Sequence, residues 1–401
     1  MKTALLFSIF MIAEICGFLN LLPKYVVKLI FLKNTIVVIL LLCYIFCSKT
    51  TRKVDNDMEK LKVAVVGAGI YGQNHLNAYT WNPNADLVAV CDRNPEITKR
   101  VEEEYHVKTY NDIEVMLEKE EIDVVSIATP DPFHKEPVLA AIRYGKDVLV
   151  EKPLATTSQD AYEIIEAANT AGVRVMVDYH KRWDPASIAV KNKLNEATTG
   201  KPVRGYMRMD NIYDVALNWL NWSSKSSPVH FVGTHCYDLI RWYMGCEVTE
   251  VYAVGHKGIL QSKGVDTYDS ITANLTFENG CTWTVENAWI LPNGFAKADD
   301  GCTEILCENE MIRVDSQKRG VEFFDENKLS TPNVCFIQNY QGRSMGFGID
   351  PLNDFVNCIQ KDLPFMADMY DGLEAELIAE AVHKSADIHQ IVKIERKNIK
   401  K

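Results

Sequence analysis

From Lys62 to Val66 the chain carries an unbroken β-branched run, Lys-Val-Ala-Val-Val, with both faces apolar. Such a run suits a central parallel strand covered by helices on each side. It enters Gly67-Ala68-Gly69-Ile70-Tyr71-Gly72 and then an amphipathic stretch to about Thr80. A second apolar run, Leu87 to Cys91, ends in Asp92. Helix-like periodicity follows at Pro95 to Tyr105 and Asp112 to Glu118, then a strand at Val124 to Ala128. The alternation repeats: helix Val138 to Tyr144, strand Asp147 to Val150, helix Ser158 to Ala171, strand Val173 to Val177. Strand and helix periods alternating in this way predict a doubly wound parallel sheet, an N-terminal Rossmann domain over residues 58–178.

After Asp178 the pattern changes. A helix is predicted at Pro185 to Leu194 and an alternating strand at Val203 to Tyr213. Further strands read at Val248 to Gly255, Ser270 to Phe277, Cys281 to Ala288, Thr303 to Cys307, Met311 to Asp315 and Gly320 to Phe324, with a helix at Thr234 to Met244. Turn signals such as Glu278-Asn279-Gly280 join neighbouring strands, so residues 179–401 form a C-terminal α/β domain with a large, mostly antiparallel sheet. Two helices, Leu352 to Gln360 and Asp371 to Ala386, and a short strand near Ile391 to Ile394 end the pattern.

Residues 1–57 stand apart. Two apolar stretches, Ala4 to Leu22 and Thr35 to Cys47, fall near or below the roughly 20 residues a spanning helix needs. They read as a membrane anchor, as an uncleaved signal-like segment, or as translated upstream sequence with the true start at Met58. The last is favoured, because Met58 directly precedes Glu59-Lys60-Leu61-Lys62 and the first strand. A cytoplasmic body is expected, tethered to a membrane only if the leader is a real anchor.

Charge narrows the partners. The leader holds seven basic and three acidic residues, leaving 36 basic and 51 acidic in the body, a net −15. That excess argues against nucleic acid and anionic membranes as general partners. The eight body cysteines, scattered from Cys91 to Cys358, contain no Cys-x-x-Cys pair. They are read as reduced thiols, and no metal site is expected.

Three motifs carry chemistry. In the glycine fingerprint Gly67 permits the tight turn, Gly69 lets the backbone (with Ile70 and Tyr71) approach a pyrophosphate, and Gly72 allows close helix–strand packing. Asp92, ending the next strand, is placed for adenosine ribose hydroxyls, and its charge would repel a 2′-phosphate. NAD is therefore expected, with NADP the alternative if Arg93 softens the exclusion. The second motif, Thr129-Pro130 followed by His134, lies at a strand's carboxyl end beside the nicotinamide half; a helix-start or surface role is the plainer reading of His134. The third is Glu151-Lys152-Pro153. A lysine there can hydrogen-bond the reacting oxygen and stabilise a developing alkoxide, while Glu151 orients Lys152 or the cofactor.

In combination and order these motifs resemble the glucose–fructose oxidoreductase, inositol dehydrogenase and MocA (Gfo/Idh/MocA) family, over essentially all of residues 58–395. The segment Gly233-Thr234-His235-Cys236-Tyr237-Asp238-Leu239 is similar to the family's Gly-x-His-x-x-Asp-Leu helix start, and Asn353-Asp354-Phe355 and Gly372-Leu373-Glu374-Ala375 to its ending. The resemblance implies that Lys152 polarises the substrate oxygen and that His235 is the general acid/base. Imidazole chemistry suits that role, since it titrates near the operating pH; a histidine packed under the helix is the alternative. Many inositol dehydrogenase-like members carry Asp four residues before the histidine, where this chain has Phe231. Asp238, at i+3, is a candidate to orient His235, or a cap or salt-bridge residue. His230 is a further candidate substrate contact. So are His180 and Arg182 in Tyr179-His180-Lys181-Arg182-Trp183, where the chain crosses between domains. Trp219 and Trp222 are candidate sugar platforms, with core packing or an interface at least as good a reading for each.

The reading at this point is an NAD(P)-dependent oxidoreductase moving a hydride between nicotinamide and a secondary hydroxyl of a sugar, cyclitol or derivative. The resemblance also implies a homodimer or homotetramer through the large sheet. Two rivals remain: an NAD-retaining lyase, hydratase or glycosidase that uses transient oxidation, and a non-catalytic nucleotide-binding regulator.

Overall fold

The continuous apolar runs of the first half form buried strands, and the amphipathic stretches between them return the chain over one face or the other. The structure, a computed structural model, describes residues 59–399 apart from 318, 327 and 328. The expectations for residues 1–57 lie outside the described residues. The elements are β1 (Leu61–Val66), α1 (Gly72–Trp81), β2 (Ala85–Cys91), α2 (Pro95–Tyr105), β3 (Lys108–Tyr110), α3 (Ile113–Lys119), β4 (Val124–Ile127), α4 (Lys135–Arg143), β5 (Asp147–Glu151), α5 (Ser158–Ala171) and β6 (Val175–Asp178). Their order in the sheet is β3-β2-β1-β4-β5-β6 and every pair is parallel. The direction of winding reverses between β1 and β4, which opens a crevice at the carboxyl ends of the strands.

Local chemistry sets the ends of these helices. Asn94, Asp112 and Thr157 each accept a backbone N–H at the start of α2, α3 and α5, contacts worth about 1 kcal/mol apiece. The three-residue β3 was not expected from the pattern. It is an edge strand with one neighbour, so Lys108-Thr109-Tyr110 needs no continuous apolar run.

The second half comprises α6 (Pro185–Leu194), β7 (Pro202–Ile212), α7 (Thr234–Met244), β8 (Val248–His256), β9 (Ser270–Phe277), β10 (Thr282–Leu291), β11 (Asp299–Cys307), β12 (Met311–Asp315), α8 (Asp350–Lys361), α9 (Met369–Ile388) and β13 (Val392–Lys393). The sheet order is β12-β11-β7-β10-β9-β8-β13, antiparallel throughout except for the parallel β7–β10 pair. The strand expected at Gly320 to Phe324 does not join it. Only Phe323–Phe324 is extended, in a separate hairpin with Leu329–Ser330, and both phenylalanines are exposed, so no second layer stabilises a longer strand.

One face of the large sheet buries Met207, Leu275 and Val285 in the core that includes Ile240 of α7 and Ile378 of α9. On the other face the period-two alternation leaves Tyr252, Val254 and Leu306 exposed. Late in the chain, Phe347, Ile349 and the α8 residues Leu352, Phe355 and Val356 pack with Val63 and Val65 of the first sheet and with Leu76 of α1. The segment after β12 therefore returns to cover the nucleotide-type half. Among the described residues no helix is long and apolar enough to cross a membrane, and the eight cysteines are free thiols.

Candidate active site

The glycine loop is shaped by close approach of its backbone. Gly67 has φ +89°, and a Cβ there would stand 2.6 Å from the Ala128 carbonyl oxygen. A Cβ on Gly72 would stand 2.1 Å from the Gly67 oxygen, so both positions require glycine. Above the loop the space is open: nothing lies within 4 Å of a Cβ built on Gly69, and Ile70 is 83% exposed. The carboxylate of Asp92 is locked by its own surroundings, with Oδ2 accepting from Ala68 N at 2.8 Å and Oδ1 from Asn94 N at 2.9 Å. Arg93 beside it is exposed. A helix N-terminus behind a glycine cradle, with a fixed carboxylate on the next strand, fits a dinucleotide.

At the neighbouring strand ends Thr129 donates to the Phe133 carbonyl at 3.0 Å, and Pro130 leads into the turn at Asp131–Phe133. His134 is buried, with Nδ1 2.6 Å from the Pro153 oxygen and Nε2 2.8 Å from the Thr129 oxygen. Both nitrogens meet backbone carbonyls, so His134 ties the β4 and β5 turns together instead of reaching a cofactor. The ring is thus neither the expected cofactor contact nor the capping or surface histidine of the plainer reading, since it is buried and its side chain makes no cap hydrogen bond.

Lys152 is 9% exposed, and its ammonium donates to the Phe231 carbonyl at 2.8 Å and lies 4.2 Å from the centroid of that residue's ring. Phe231 belongs to a π-helical turn, Val229–Gly233, that runs into α7. Such turns place side chains and carbonyls where a regular helix would not. His235 follows in the first turn of α7, buried, with Nδ1 lacking a partner among the described residues. Its ring centroid is 4.5 Å from that of His180 and 6.0 Å from that of Tyr179. Burial, reinforced by His180, Lys152 and Lys181, holds the His235 imidazole well below its ordinary pKa, and burial with Lys181 and Lys152 does the same to His180. Both rings are therefore neutral in the resting site. Tyr71 from the glycine loop completes the row, its hydroxyl 3.4 Å from His180 Nδ1.

Three other expectations are corrected. Asp238 does not orient His235: it is fully buried and accepts from Arg182 Nε and Nη2 at 2.9 and 2.6 Å. Arg182 is likewise no substrate contact, being held by Asp238, by Asp371 at 2.9 Å and by the Met366 carbonyl. A guanidinium at the domain crossing has five donors to satisfy, and here acids from α7 and α9 take them. His230 Nε2 is engaged by Glu376 of α9 at 3.1 Å, which removes it from the candidate substrate contacts. Trp219 is half exposed, whereas the Trp222 indole nitrogen is buried without a partner among the described residues.

The motif reading missed a second set. His75 of α1 is fully buried, with Nδ1 2.8 Å from Ser126 Oγ and Nε2 3.0 Å from Glu151 Oε1. Asp178, ending β6, joins them. The available signal was a histidine three residues after Gly72, on the face of α1 that packs on the sheet. Phe336 and Phe347 were also missed. Their rings lie 5.1 and 6.0 Å from His180, and Lys181 Nζ is 5.9 and 5.4 Å from their centroids.

Comparison with known proteins places this geometry in context. Residues 61–179 match the model of an oxidoreductase family with an NAD-binding Rossmann fold. Residues 188–313 match the GFO/IDH/MocA C-terminal domain. A D-apiose dehydrogenase of Paraburkholderia graminis is 30% identical over 57% of this chain and 60% of its own length. An inositol 2-dehydrogenase of Rubrobacter xylanophilus is 30% identical over 64% of this chain and 72% of its own. The crystal structure of a scyllo-inositol dehydrogenase from Lactobacillus casei, with bound NAD(H) and scyllo-inositol, superposes with a TM-score of 0.72. It covers 84% of this chain and 99% of that one at 21% identity, which speaks for the fold.

Proposed function

The chain belongs to the Gfo/Idh/MocA family of oxidoreductases, and from that premise we propose that Lys152 and His235 carry an NAD-dependent oxidation of a secondary hydroxyl on a sugar or cyclitol. The observation that carries this reading is a buried, neutral His235 standing in the field of Lys152 beside the nucleotide-type crevice.

In this reading Gly67, Gly69, Ile70, Tyr71 and Gly72 hold the pyrophosphate and Asp92 the adenosine ribose, while Thr129 and Pro130 border the nicotinamide. NAD, when bound, supplies the hydride acceptor. A general base must be unprotonated before it acts, and burial keeps the His235 imidazole so. His235 takes the hydroxyl proton. Lys152, which rests on the Phe231 carbonyl, turns its ammonium toward the substrate oxygen and stabilises the charge that develops there. The ring that becomes cationic lies near another cation, so the proton is readily returned in the reducing direction. His180 and Lys181 border the substrate, with Phe336 and Phe347 closing that wall.

The exposed face of the large sheet, with Tyr252, Val254 and Leu306 in the open, suits contact between copies of the chain in a dimer or tetramer. The test of the activity is a hydride-transfer screen of sugars, cyclitols and amino sugars with NAD and NADP. Turnover of at least one polyol with NAD is expected. Binding of NAD without turnover of any member would favour the regulator instead.

A further inference from the structure

The ends of β5 and β6 bring together two acids to which the reaction as proposed gives no part. Glu151 and Asp178 are register partners on adjacent strands, and both are buried, Asp178 completely. A ring nitrogen of His75 and one carboxylate oxygen from each acid lie within 4.8 Å of one another. The hydrogen bonds leading to them run in one direction. Tyr79 donates to Ser126 Oγ at 2.9 Å, leaving the Ser126 proton for His75 Nδ1 at 2.8 Å. The imidazole proton then sits on Nε2 and is donated to Glu151 Oε1 at 3.0 Å. Both His75 nitrogens are engaged, yet neither Asp178 oxygen meets a donor among the described residues. A proton on one of the two carboxyls satisfies that orphan, and two carboxylates this close in a dry site do not both ionise.

We propose that Glu151 and Asp178 hold one proton between them, and that the single negative charge left on the pair is the buried counter-charge that positions the Lys152 ammonium. The proposal rests on the role of Lys152 given above. Around the pair stand His75 and Tyr79 of α1, Tyr71 of the glycine loop, Asp131 after β4 and Lys152 after β5. Lys152 is the cation in that set, and among the described residues it makes no ion pair with a carboxylate of its own. Burial, with the facing Glu151 carboxyl, pushes Asp178 well above the usual range, and burial raises Glu151 to about 7. Burial and the facing carboxyl thus hold the pair's last proton well beyond the usual carboxylate range, and the second is taken up near neutrality.

Infrared spectra and kinetics of the full chain with NAD test this. At about pH 8, above the second protonation, the wild type is expected to show a carboxylic-acid C=O band that Asp178→Asn abolishes. The acid limb of kcat/KM, expected near pH 7 from Glu151, should stay there in that variant, because Asp178 already holds its proton at that pH and Asn replaces one neutral partner with another. Asp178→Asn and Glu151→Gln each retain one negative charge and should lose less than about tenfold in kcat. The double variant retains none and should lose ~10³-fold, with KM and NADH affinity within about threefold. A band that persists in Asp178→Asn, an acid limb that moves there by more than about one pH unit, or a double variant no slower than the product of the singles, overturns the proposal. If the double variant fails to fold, the band and limb of Asp178→Asn decide alone. Failure of the underlying reading is distinguishable: Lys152→Ala would then turn over normally, which also removes the positioning role, while the band persists.

Discussion

At the β1–α1 turn the path of the backbone is fixed by the steric demands of Gly67 and Gly72 within a six-residue stretch. Across the cleft the facing groups are side chains, Lys152, His180 and His235, whose settings depend on residues far away in sequence. Lys152 is held by Phe231, His180 is walled by Phe336, and the base of the site is tied by Arg182 to Asp238 and Asp371. A backbone site is specified locally and tolerates side-chain change outside its glycines. A side-chain site inherits the demands of every partner, so single substitutions should separate the two regions sharply.

The largest expected effect comes from Arg182, which sequence placed at the substrate and the structure places in a buried ion cluster. Arg182→Met leaves Asp238 buried without its partner and should cost about 3–5 kcal/mol of stability, read by urea unfolding. If the loss is that large while turnover per folded molecule holds, the residue is structural. A variant of full stability with a raised substrate KM would return it to the substrate side.

Next is Lys152→Ala, which removes the group proposed to stabilise the reacting oxygen. Turnover should fall by ~10²–10³-fold, with NAD affinity by fluorescence or calorimetry nearly unchanged, since the glycine loop is untouched. Coupled loss of NAD binding would show that the two regions are not independent in the way the geometry suggests.

This division also explains what could be read from the chain. The parallel sheet, the glycine turn and Asp92 were legible because each is a local pattern: an apolar run, a tight turn and a strand-end acid. Four helices, Pro95–Tyr105, Ser158–Ala171, Pro185–Leu194 and Thr234–Met244, keep their expected bounds, helped at three of them by side-chain N-caps that sequence displays. Partnership is what spacing does not carry. Asp238 lies three residues from His235, as a helical neighbour should, but the stronger demand of the Arg182 guanidinium claims it. Glu376, 146 residues away, claims His230 in the same manner. His75 and Asp178 went unread because neither sits in a motif, and only the reach of the His75 side chain from α1 to Ser126 of β4 and Glu151 of β5, beside Asp178, makes them neighbours.

A smaller effect tests that buried set through pH. The folded pKa of His75 is lowered by burial from 6.5 to about 4, so stability is lost on acidification below 6.5, as the unfolded chain takes up a proton that the folded chain refuses. That of Glu151 is raised by burial from 4.5 to about 7, so its contribution is fully present below 4.5 and is lost as pH rises through 7. Between pH 4.5 and 6.5 the two slopes oppose and largely cancel. Glu151→Gln removes one of them. Over that window the variant should lose about 3 kcal/mol more than the wild type on acidification, and parallel stability curves would show that the groups are not so buried.

The smallest expected effect lies back at the glycine loop, on Asp92. Its oxygens accept from Ala68 N and Asn94 N, so the carboxylate has two roles: it braces the loop, and it presents a negative charge where the adenosine ribose is proposed to lie. Asp92→Asn keeps the size and one acceptor oxygen but removes the charge. If repulsion sets the choice of cofactor, the kcat/KM ratio of NADP over NAD should rise about tenfold, the ~1.4 kcal/mol expected of a partly exposed charge contact. Arg93, exposed next to it, is positioned to assist, so Asp92→Asn with Arg93→Ala should give back much of the gain. If instead both cofactors weaken together at an unchanged ratio, Asp92 acts only as a brace. The selectivity of this half would then come from the backbone alone, making the contrast with the side-chain half sharper still.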